Sequence, residues 1–404
     1  TTLTHATNSF CLGAGRQPRA PHARFATGSG LPRDAGHEVV FAAANLRTAT
    51  ALLHQERFTL IQAPLLRPAL KRQAAPVNYA GMLLYEGYDD TAALTGALSG
   101  WRALFGLLHP ALLVYNHAPT ALLAARMAQL PTLLVGTGFE IPPTVAPLPS
   151  FRPWQDIPQS VLHDAGAQAL AHINSHLVRS GQAPLENLCE LFAHDQVQLT
   201  TFAELDPFGP RKHASYIGPI HALPPMPAAR WQGGAKPRIF AYLRPSVPGC
   251  ENLLAALQAL DAEVICALPG LPQEWAARFG RIRLLPHPAD LATLLPQADL
   301  VITCGAGTIA TALLAGVPVL MMPQVVEQYL AGLALERTGA GRLLREQRSP
   351  EQCTTLVHEL LANQTYRQAA QTFAQRYAGF EMASALHKQW QVVARKLESA
   401  SDSV

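Results

Sequence analysis

The segment from Asp299 to Gly341, DLVITCGAGTIATALLAGVPVLMMPQVVEQYLAGLALERTGAG, gathers residue types that can hold a phosphorylated ligand. It reads as strand, glycine turn, helix, strand and helix. Gly305 and Gly307 permit a tight turn and close approach of a backbone to a ligand. The amides of Thr308 and its neighbours would open a helix whose positive end suits a diphosphate, and the Thr308 hydroxyl could add a hydrogen bond. A strand-to-helix turn that needs glycine for geometry alone would look the same. The next unit adds weight: Val317 to Met322 reads as a buried strand, with Pro323-Gln324-Val325-Val326-Glu327-Gln328 at its C-terminal end, where ligands collect in sheets of this kind. Glu327 beside Gln328 offers acceptors and donors for adjacent sugar hydroxyls. Glutamate in a first helical turn is also favoured by the macrodipole alone.

Other pairs of chemically capable residues carry less. His172 and His176 have the i,i+4 spacing of a metal pair but lack a third ligand and the glutamate of a zinc-protease helix, so they read as helix-face residues. Asp89 and Asp90 precede a helix at Thr91 and read as caps. No metal is expected.

The elements that must position the first group alternate. Strand-like Glu38–Ala42 is followed by a helix at Thr48–Gln55 and an extended Phe58–Gln62. Helix Leu94–Leu108, strand Ala111–Tyr115, helix Thr120–Ala128 and strand Thr132–Val135 then follow, a βα rhythm that implies a parallel, helix-covered sheet. The opening residues, rich in Arg, Pro and Gly, show no clear strand pattern. The rhythm breaks between Pro207 and Pro237, where proline and glycine favour a connector. A second series begins with strand Arg238–Leu243, helix Glu251–Leu260 and strand Glu263–Leu268. Strand Ile282–Leu285, helix Ala289–Leu295 and strand Leu300–Thr303 complete it, and Pro350–Ala362 and Thr365–Leu397 read as terminal helices. The expected organisation is a domain over 1–215, a linker over 216–237 and a Rossmann-like domain over 238–404.

Bulk properties agree with two α/β domains. The chain has 404 residues, 49% of them hydrophobic, which exceeds what one core usually supports. Its 31 basic and 28 acidic residues leave a net charge of +3, spread without a nucleic-acid stripe. Six scattered cysteines fit a reducing compartment. No apolar run spans a bilayer and no secretory signal is visible, so a cytoplasmic protein is expected, with peripheral membrane contact left open.

The segment around Gly305 resembles the donor-binding motif of family 1 glycosyltransferases, especially the bacterial macrolide and flavonoid type. The similarity extends through GHEVVFAAANL, HAPTALLAAR at His117–Arg126, TTFAELD at Thr200–Asp206 and FAYLRP at Phe240–Pro245. The resemblance implies an α/β GT-B fold, with two Rossmann-like domains facing across a cleft and a C-terminal helix packing back on the N-terminal domain. It also assigns the donor site to Thr303, Cys304, Gly305, Ala306, Gly307, Thr308, Glu327 and Gln328. The glycine turn would hold the diphosphate, and Glu327 and Gln328 the sugar. Arg244 would add positive charge, and His287 would line the base or ribose.

Two departures stand out. The family's glycine motif opens with a histidine where this chain has Thr303-Cys304. Near the N-terminus, the family's Gly-His pair, whose histidine deprotonates the acceptor, aligns with Gln17-Pro18, leaving His22 or a displaced His5 as base. The orienting aspartate of that base falls on Asn116, which can orient an imidazole but cannot stabilise its charge. The implied reaction is transfer of a hexose from a UDP- or dTDP-sugar to a hydroxyl of a small apolar acceptor. It would proceed with inversion, without metal, and with no cofactor beyond the nucleotide-sugar co-substrate. A non-catalytic nucleotide-sugar binder and a sugar-nucleotide epimerase share parts of the pattern.

Overall fold

The structure, a computed structural model, describes residues 9–14, 37–53, 58–69, 74–193, 197–220, 229–345 and 349–401. The chain divides into two compact units. The first comprises Thr1–Thr201, Arg211–Ala222 and Glu381–Val404, and the second Phe202–Pro210 and Leu223–Phe380.

The first unit holds a seven-stranded sheet. Its strands are β1 (Ser9–Ala14), β2 (Glu38–Ala43), β3 (Thr59–Gln62), β4 (Pro110–Asn116), β5 (Thr132–Gly136), β6 (Val197–Leu199) and β7 (Ser215–Tyr216), in the order β3-β2-β1-β4-β5-β6-β7. Every neighbouring pair is parallel. The opening residues therefore do contain a strand, contrary to the reading of the sequence, and it lies between β2 and β4. Its six residues are too short a run to announce themselves, and the pairing that makes them a strand comes from distant partners. Helices α1 (Leu46–Leu53), α2 (Tyr79–Glu86), α3 (Thr91–Leu108), α4 (Pro119–Met127) and α5 (Gln159–Arg179) complete this part of the unit. Apolar β2, β4 and β5 are buried almost throughout, as a sheet covered by helices requires.

The second unit holds β8 (Arg238–Tyr242), β9 (Glu263–Ala267), β10 (Arg283–Leu285), β11 (Leu300–Thr303), β12 (Val319–Met321) and β13 (Gly341–Leu343), in the order β10-β9-β8-β11-β12-β13. Its helices are α6 (Cys250–Ala259), α7 (Gln273–Arg278), α8 (Leu291–Leu294), α9 (Ala306–Leu314), α10 (Val326–Thr338), α11 (Pro350–Ala362) and α12 (Gln364–Arg376). This is the Rossmann strand order, with its topological switch between β8 and β11. Gly332 brings α10 close to the sheet. A Cβ there would stand 2.4 Å from Leu343 Cδ1 and 3.2 Å from Met321 Cγ.

The expected single helix over Thr365–Leu397 is two helices. α12 ends before Tyr377, and α13 (Met382–Ser401) begins after Glu381. The break follows from packing: the Tyr377 and Phe380 rings lie 4.0 and 5.2 Å from the Phe202 ring, and the Tyr377 hydroxyl donates to Glu204 at 2.6 Å. Arg337 donates to the Asp206 carbonyl at 2.8 Å. These contacts hold 202–210 on the second unit, although they were expected within the first domain. Conversely, α13, within the residue range expected for the C-terminal domain, belongs to the first unit, in keeping with the expected C-terminal helix that packs back on the N-terminal domain. Its Val393 and Leu397 share a buried cluster with Val39, Phe41, Leu112, Val114, Leu133 and Val135. Tyr216, expected in the linker, pairs in β7 with Leu199. No helix among the described residues is long and apolar enough to cross a membrane.

Asn78 ties the first unit together behind α2. It is fully buried, its Oδ1 caps α2 by accepting from the Gly81 amide at 2.9 Å, and its Nδ2 donates to the carbonyls of Leu148 and Leu162 at 3.2 Å each. Removing the amide takes a donor from two buried carbonyls and the cap from a helix end. Asn78→Ala is therefore expected to cost about 3 kcal/mol in urea unfolding. Asn78→Ser, which keeps a capping oxygen, should recover about 1 kcal/mol of that loss.

Candidate functional site

Register decides where the chemistry of the second unit gathers. Tyr242 pairs with Ala267 and with Thr303, Thr303 with Met321, and Met321 with Leu343, so these strands end on one line. The chain leaves that line at Arg244, at Gly305 and at Gln324, and His287 lies two residues beyond β10. The residues singled out in the sequence thus share the C-terminal edge of one sheet, beside its topological switch.

At the centre is the turn from β11 into α9. The Thr303 hydroxyl accepts from the Gly305 amide at 3.0 Å, and Thr308 N donates to the Gly305 carbonyl at 3.2 Å. Gly305 is the N-cap, with φ −110° and ψ 127°, and no side-chain hydrogen bond caps the helix. This conformation is open to any residue. A Cβ at Gly305 would meet only the Thr303 and Thr308 hydroxyls, each at 3.8 Å. Turn geometry therefore does not require the glycine. The nine-residue α9 presents its N-terminal amides, those of Ala306 and Gly307 foremost, to the edge.

Thr303 and Cys304 lie under the turn, not at its surface. Thr303 is fully buried, and the Cys304 amide donates to the Tyr242 carbonyl at 3.3 Å, with its thiol 3.8 Å from the same oxygen. Burial pushes the Cys304 thiol up and Arg244 pulls it partly back, so it stays neutral at neutral pH and adds no negative charge to the turn. Thr308 is buried as well, and its amide is spent within the turn. Arg244 is exposed in the loop after β8.

Glu327 and Gln328 occupy the first turn of α10, whose N-cap Val325 offers no side-chain cap. Gln328 Oε1 accepts from the Gln324 amide at 2.7 Å, and Gln324 Nε2 donates to Ser246 Oγ at 3.2 Å. The Gln328 carbonyl thus fixes the loop after β12, while its amide nitrogen keeps its donors. Gln324 and Ser246, which sequence reasoning passed over, join the loops after β8 and β12 on either side of the β11 turn. Nothing in their spacing, 78 residues apart, announces the pairing. His287 is half-buried, with Nδ1 2.9 Å from the Pro288 carbonyl. Since a carbonyl can only accept, Nδ1 carries the proton and Nε2 is the acceptor of the neutral ring.

In the first unit, Asn116 ends β4 almost fully buried. Its Nδ2 donates to the Val135 carbonyl at 2.9 Å, tying β4 to β5 and leaving Oδ1 as the group able to orient a base. A Cβ on the adjacent Gly136 would stand 3.0 Å from that Nδ2 and 3.2 Å from Glu140 Cβ. Glu140 is a buried carboxylate that accepts from the Thr137 amide at 2.7 Å and from the Thr137 hydroxyl. No motif or spacing announced it. His22, His5 and Pro18 lie outside the described residues.

The same sheet edge borders an open pocket of about 150 Å³, lined by the ends of β2 and β3, by α2 and α3, and by His117 to Thr120 after β4. His117 has a φ of 48°, and its ring lies 6.2 Å from those of Tyr79 and Phe139. Asp90 precedes α3, as its place in the sequence implied. It caps α3 through the Ala93 amide and holds the Ala69 amide at 2.9 Å, two bonds that keep its carboxyl below the usual carboxylate range. His176 faces the core of α5, where burial lowers its pKa, while His172 is half-exposed. No cluster of three or more His, Cys, Asp or Glu able to hold a metal occurs among the described residues.

Comparison with known proteins agrees with this geometry. Residues 251–387 match the C-terminal domain family of erythromycin biosynthesis protein CIII-like proteins. A "PGL/p-HBAD biosynthesis glycosyltransferase" of Mycobacterium tuberculosis is 28% identical over 80% of this chain and 81% of its own. The "TDP-daunosamine transferase DnrS" of Streptomyces peucetius is 30% identical over 42% of each chain. Among solved structures, the spinosyn rhamnosyltransferase SpnG, complexed with spinosyn aglycone, superposes with a TM-score of 0.67 at 19% identity, covering 95% of this chain and 99% of SpnG. The glycosyltransferase VinC in complex with dTDP superposes with a TM-score of 0.66 at 15% identity, covering 97% of this chain and all of VinC (100%). With the Rossmann strand order and the family match falling on the unit that carries the Gly305 turn, the chain is a glycosyltransferase of the GT-B fold, related to the family 1 enzymes of the macrolide type.

Proposed function

We propose that the chain transfers a hexose from a UDP- or dTDP-sugar to a hydroxyl of a small, largely apolar acceptor, by one inverting displacement that uses no metal and no further cofactor. The observation that carries this reading is the turn at Gly305. A glycine whose geometry any residue could adopt keeps the ground beside an uncapped helix N-terminus clear, which suits the close approach of a diphosphate. Arg244 and the α9 amides would absorb the charge of the departing nucleotide, the role a metal plays elsewhere. Glu327 and the Gln328 amide would hold the sugar hydroxyls, and His287 Nε2 would accept from the base or ribose. Of the two nucleotides, thymidine has more support: DnrS is named for a TDP-sugar, and VinC and SpnG were solved with dTDP and thymidine diphosphate. For the acceptor, a base abstracts the hydroxyl proton as the oxygen attacks the anomeric carbon opposite the leaving group, which inverts it. His22 is proposed for that role, with Asn116 Oδ1 orienting it.

A second reading, a nucleotide-sugar binder without turnover, draws on the burial of Thr303 and Cys304. Standing where the family has a phosphate-contacting histidine, neither side chain reaches the edge.

Calorimetric titration with dTDP, UDP and their glucose conjugates, with sugar release followed by mass spectrometry, separates these readings. Wild-type protein is expected to bind and turn over, and binding without sugar transfer or release would favour the binder. Gly305→Ala is expected to keep the melting temperature within about 2 °C, since the conformation suits alanine. It should weaken dTDP about tenfold or more by occupying the phosphate's ground. Unchanged dTDP affinity in that variant would sink the assignment of the turn. Glu327→Ala should weaken dTDP-glucose by about 10- to 100-fold while leaving dTDP itself within about threefold, because the lost bonds are to sugar.

A further inference from the structure

The loop after β5 buries a charge that its own geometry does not need. Glu140 is 3% exposed, and its Oε2 accepts from both the amide and the hydroxyl of Thr137. Both bonds end on one oxygen, so a glutamine carbonyl could accept them equally well. Arg211 holds the same loop by its backbone, donating to the Gly138 and Ile141 carbonyls at 2.7 Å each, and the Phe139 ring stacks on that of Phe151 at 5.2 Å. The loop is thus fixed by bonds that do not call on the charge, while burying a carboxylate costs more than burying an amide. Departures of this kind concentrate at functional sites.

The position of Glu140 says which function. Asn116 Nδ2 and Glu140 Oε2 stand 3.0 and 3.4 Å from one point, the place that a Cβ of Gly136 would take. A side chain at 136 would press on both groups, and glycine lets them come together. Asn116 falls where the orienting aspartate of the family aligns, and an amide can orient an imidazole but cannot offset its charge. Glu140 brings a carboxylate to the same place from the end of the next strand. Beside this loop stand Tyr79 of α2 and His117 after β4, and the His117 ring lies 6.2 Å from those of Tyr79 and Phe139. Burial first, and then the charge of Glu140, push the Tyr79 hydroxyl up, so it stays neutral and adds no charge of its own.

We propose that Glu140 is a positioning residue for the transfer: Asn116 orients the base that takes the acceptor proton, and Glu140 supplies the negative charge that offsets the imidazolium. This rests on the transferase reading, in which the hydroxyl proton passes to the base, the oxygen bonds to the anomeric carbon and the nucleoside diphosphate leaves with the bonding electrons. The charge would serve any imidazole that reaches Asn116.

The test is transfer from dTDP-glucose to 4-methoxyphenol and to 4-nitrophenol. The two have similar shapes, but the second is largely ionised in mildly alkaline buffer and needs little help from a base. Glu140→Gln keeps an acceptor oxygen for Thr137 and should keep the melting temperature within about 3 °C. It is expected to lower kcat toward 4-methoxyphenol about 10- to 100-fold, and toward 4-nitrophenol by about threefold or less. The acidic limb of kcat/KM for 4-methoxyphenol should move down by about one pH unit, because an imidazolium without a nearby negative charge gives up its proton more readily. Asn116→Asp leaves Glu140 in place and decides the matter even where Glu140→Gln does not fold. It restores the aspartate of the family, yet should not raise kcat by more than about threefold, since the charge is already supplied. Equal losses toward the two phenols, an unmoved acidic limb, or a larger gain from Asn116→Asp overturns the proposal. Wild-type protein that transfers to neither phenol fails the transferase reading and takes the role of Glu140 with it, whereas transfer that Glu140→Gln leaves unchanged overturns the role of Glu140 alone.

Discussion

A parallel sheet buried on both faces can do polar chemistry only where its strands stop, and every functional assignment in this molecule depends on that constraint. In the second unit the strands stop together. Even the residue after each strand is still held to the ladder, Leu268 N by the Leu285 carbonyl, Cys304 N by Tyr242 and Met322 N by Thr303. Freedom begins one position later, so Arg244, Gly305, Pro323 and Gln324 emerge along a common line. Residues as far apart as 244 and 328 need no long-range contact of their own to be neighbours, because the hydrogen-bonded register of five strands has already placed them.

The helix starts at the centre of this line are treated differently from those at its two flanks, entered from β10 and β13. α6, α9 and α10, entered from β8, β11 and β12, begin at Gly249, Gly305 and Val325 with no side-chain cap, as does α7 behind Pro272. α8, α11 and α12 begin at Asp290, Ser349 and Asn363, and each of those side chains accepts from the first turn. A cap contributes about 1 kcal/mol, so its absence on three neighbouring helices forgoes stability in one small region. A capping side chain at Gly305 would satisfy the α9 amides from within the protein and leave them nothing to offer a ligand.

The sequence made the second unit more legible than the first, for a physical reason. Its strands β8 to β12 are short, mainly apolar runs, each followed within three residues by glycine or proline, and the strand-end rule turns such runs directly into a list of site positions. Orientation was not legible. Thr303 and Cys304 stand at the motif position, yet the turn folds them inward, and Gln328 spends its carbonyl on Gln324. The same limit explains the larger misses. β1 is a strand because β2 and β4 pair with it. The helix expected through Thr365–Leu397 breaks because Tyr377 and Phe380 find Phe202. The exchange of 202–210 and 381–404 between units depends on contacts 130 or more residues apart in sequence. Local pattern carries none of this information.

Tyr88 and Trp101 show the limit most sharply. Each, met alone, is an aromatic residue in or beside a helix that reads as core, and each is in fact buried as core residues are. What distinguishes them is an absence that exists only in the folded chain, a hydroxyl and an indole N–H with no hydrogen-bond partner among the described residues. Thus the two units depart from local rules in opposite ways. The second omits side-chain acceptors at exposed helix ends, and the first leaves both donors and acceptors unpartnered in its interior. Chains whose local choices otherwise agree with their fold concentrate such departures at functional sites. At the α9 amides the departure leaves donors without a side-chain acceptor, which is what the oxygens of a phosphate require.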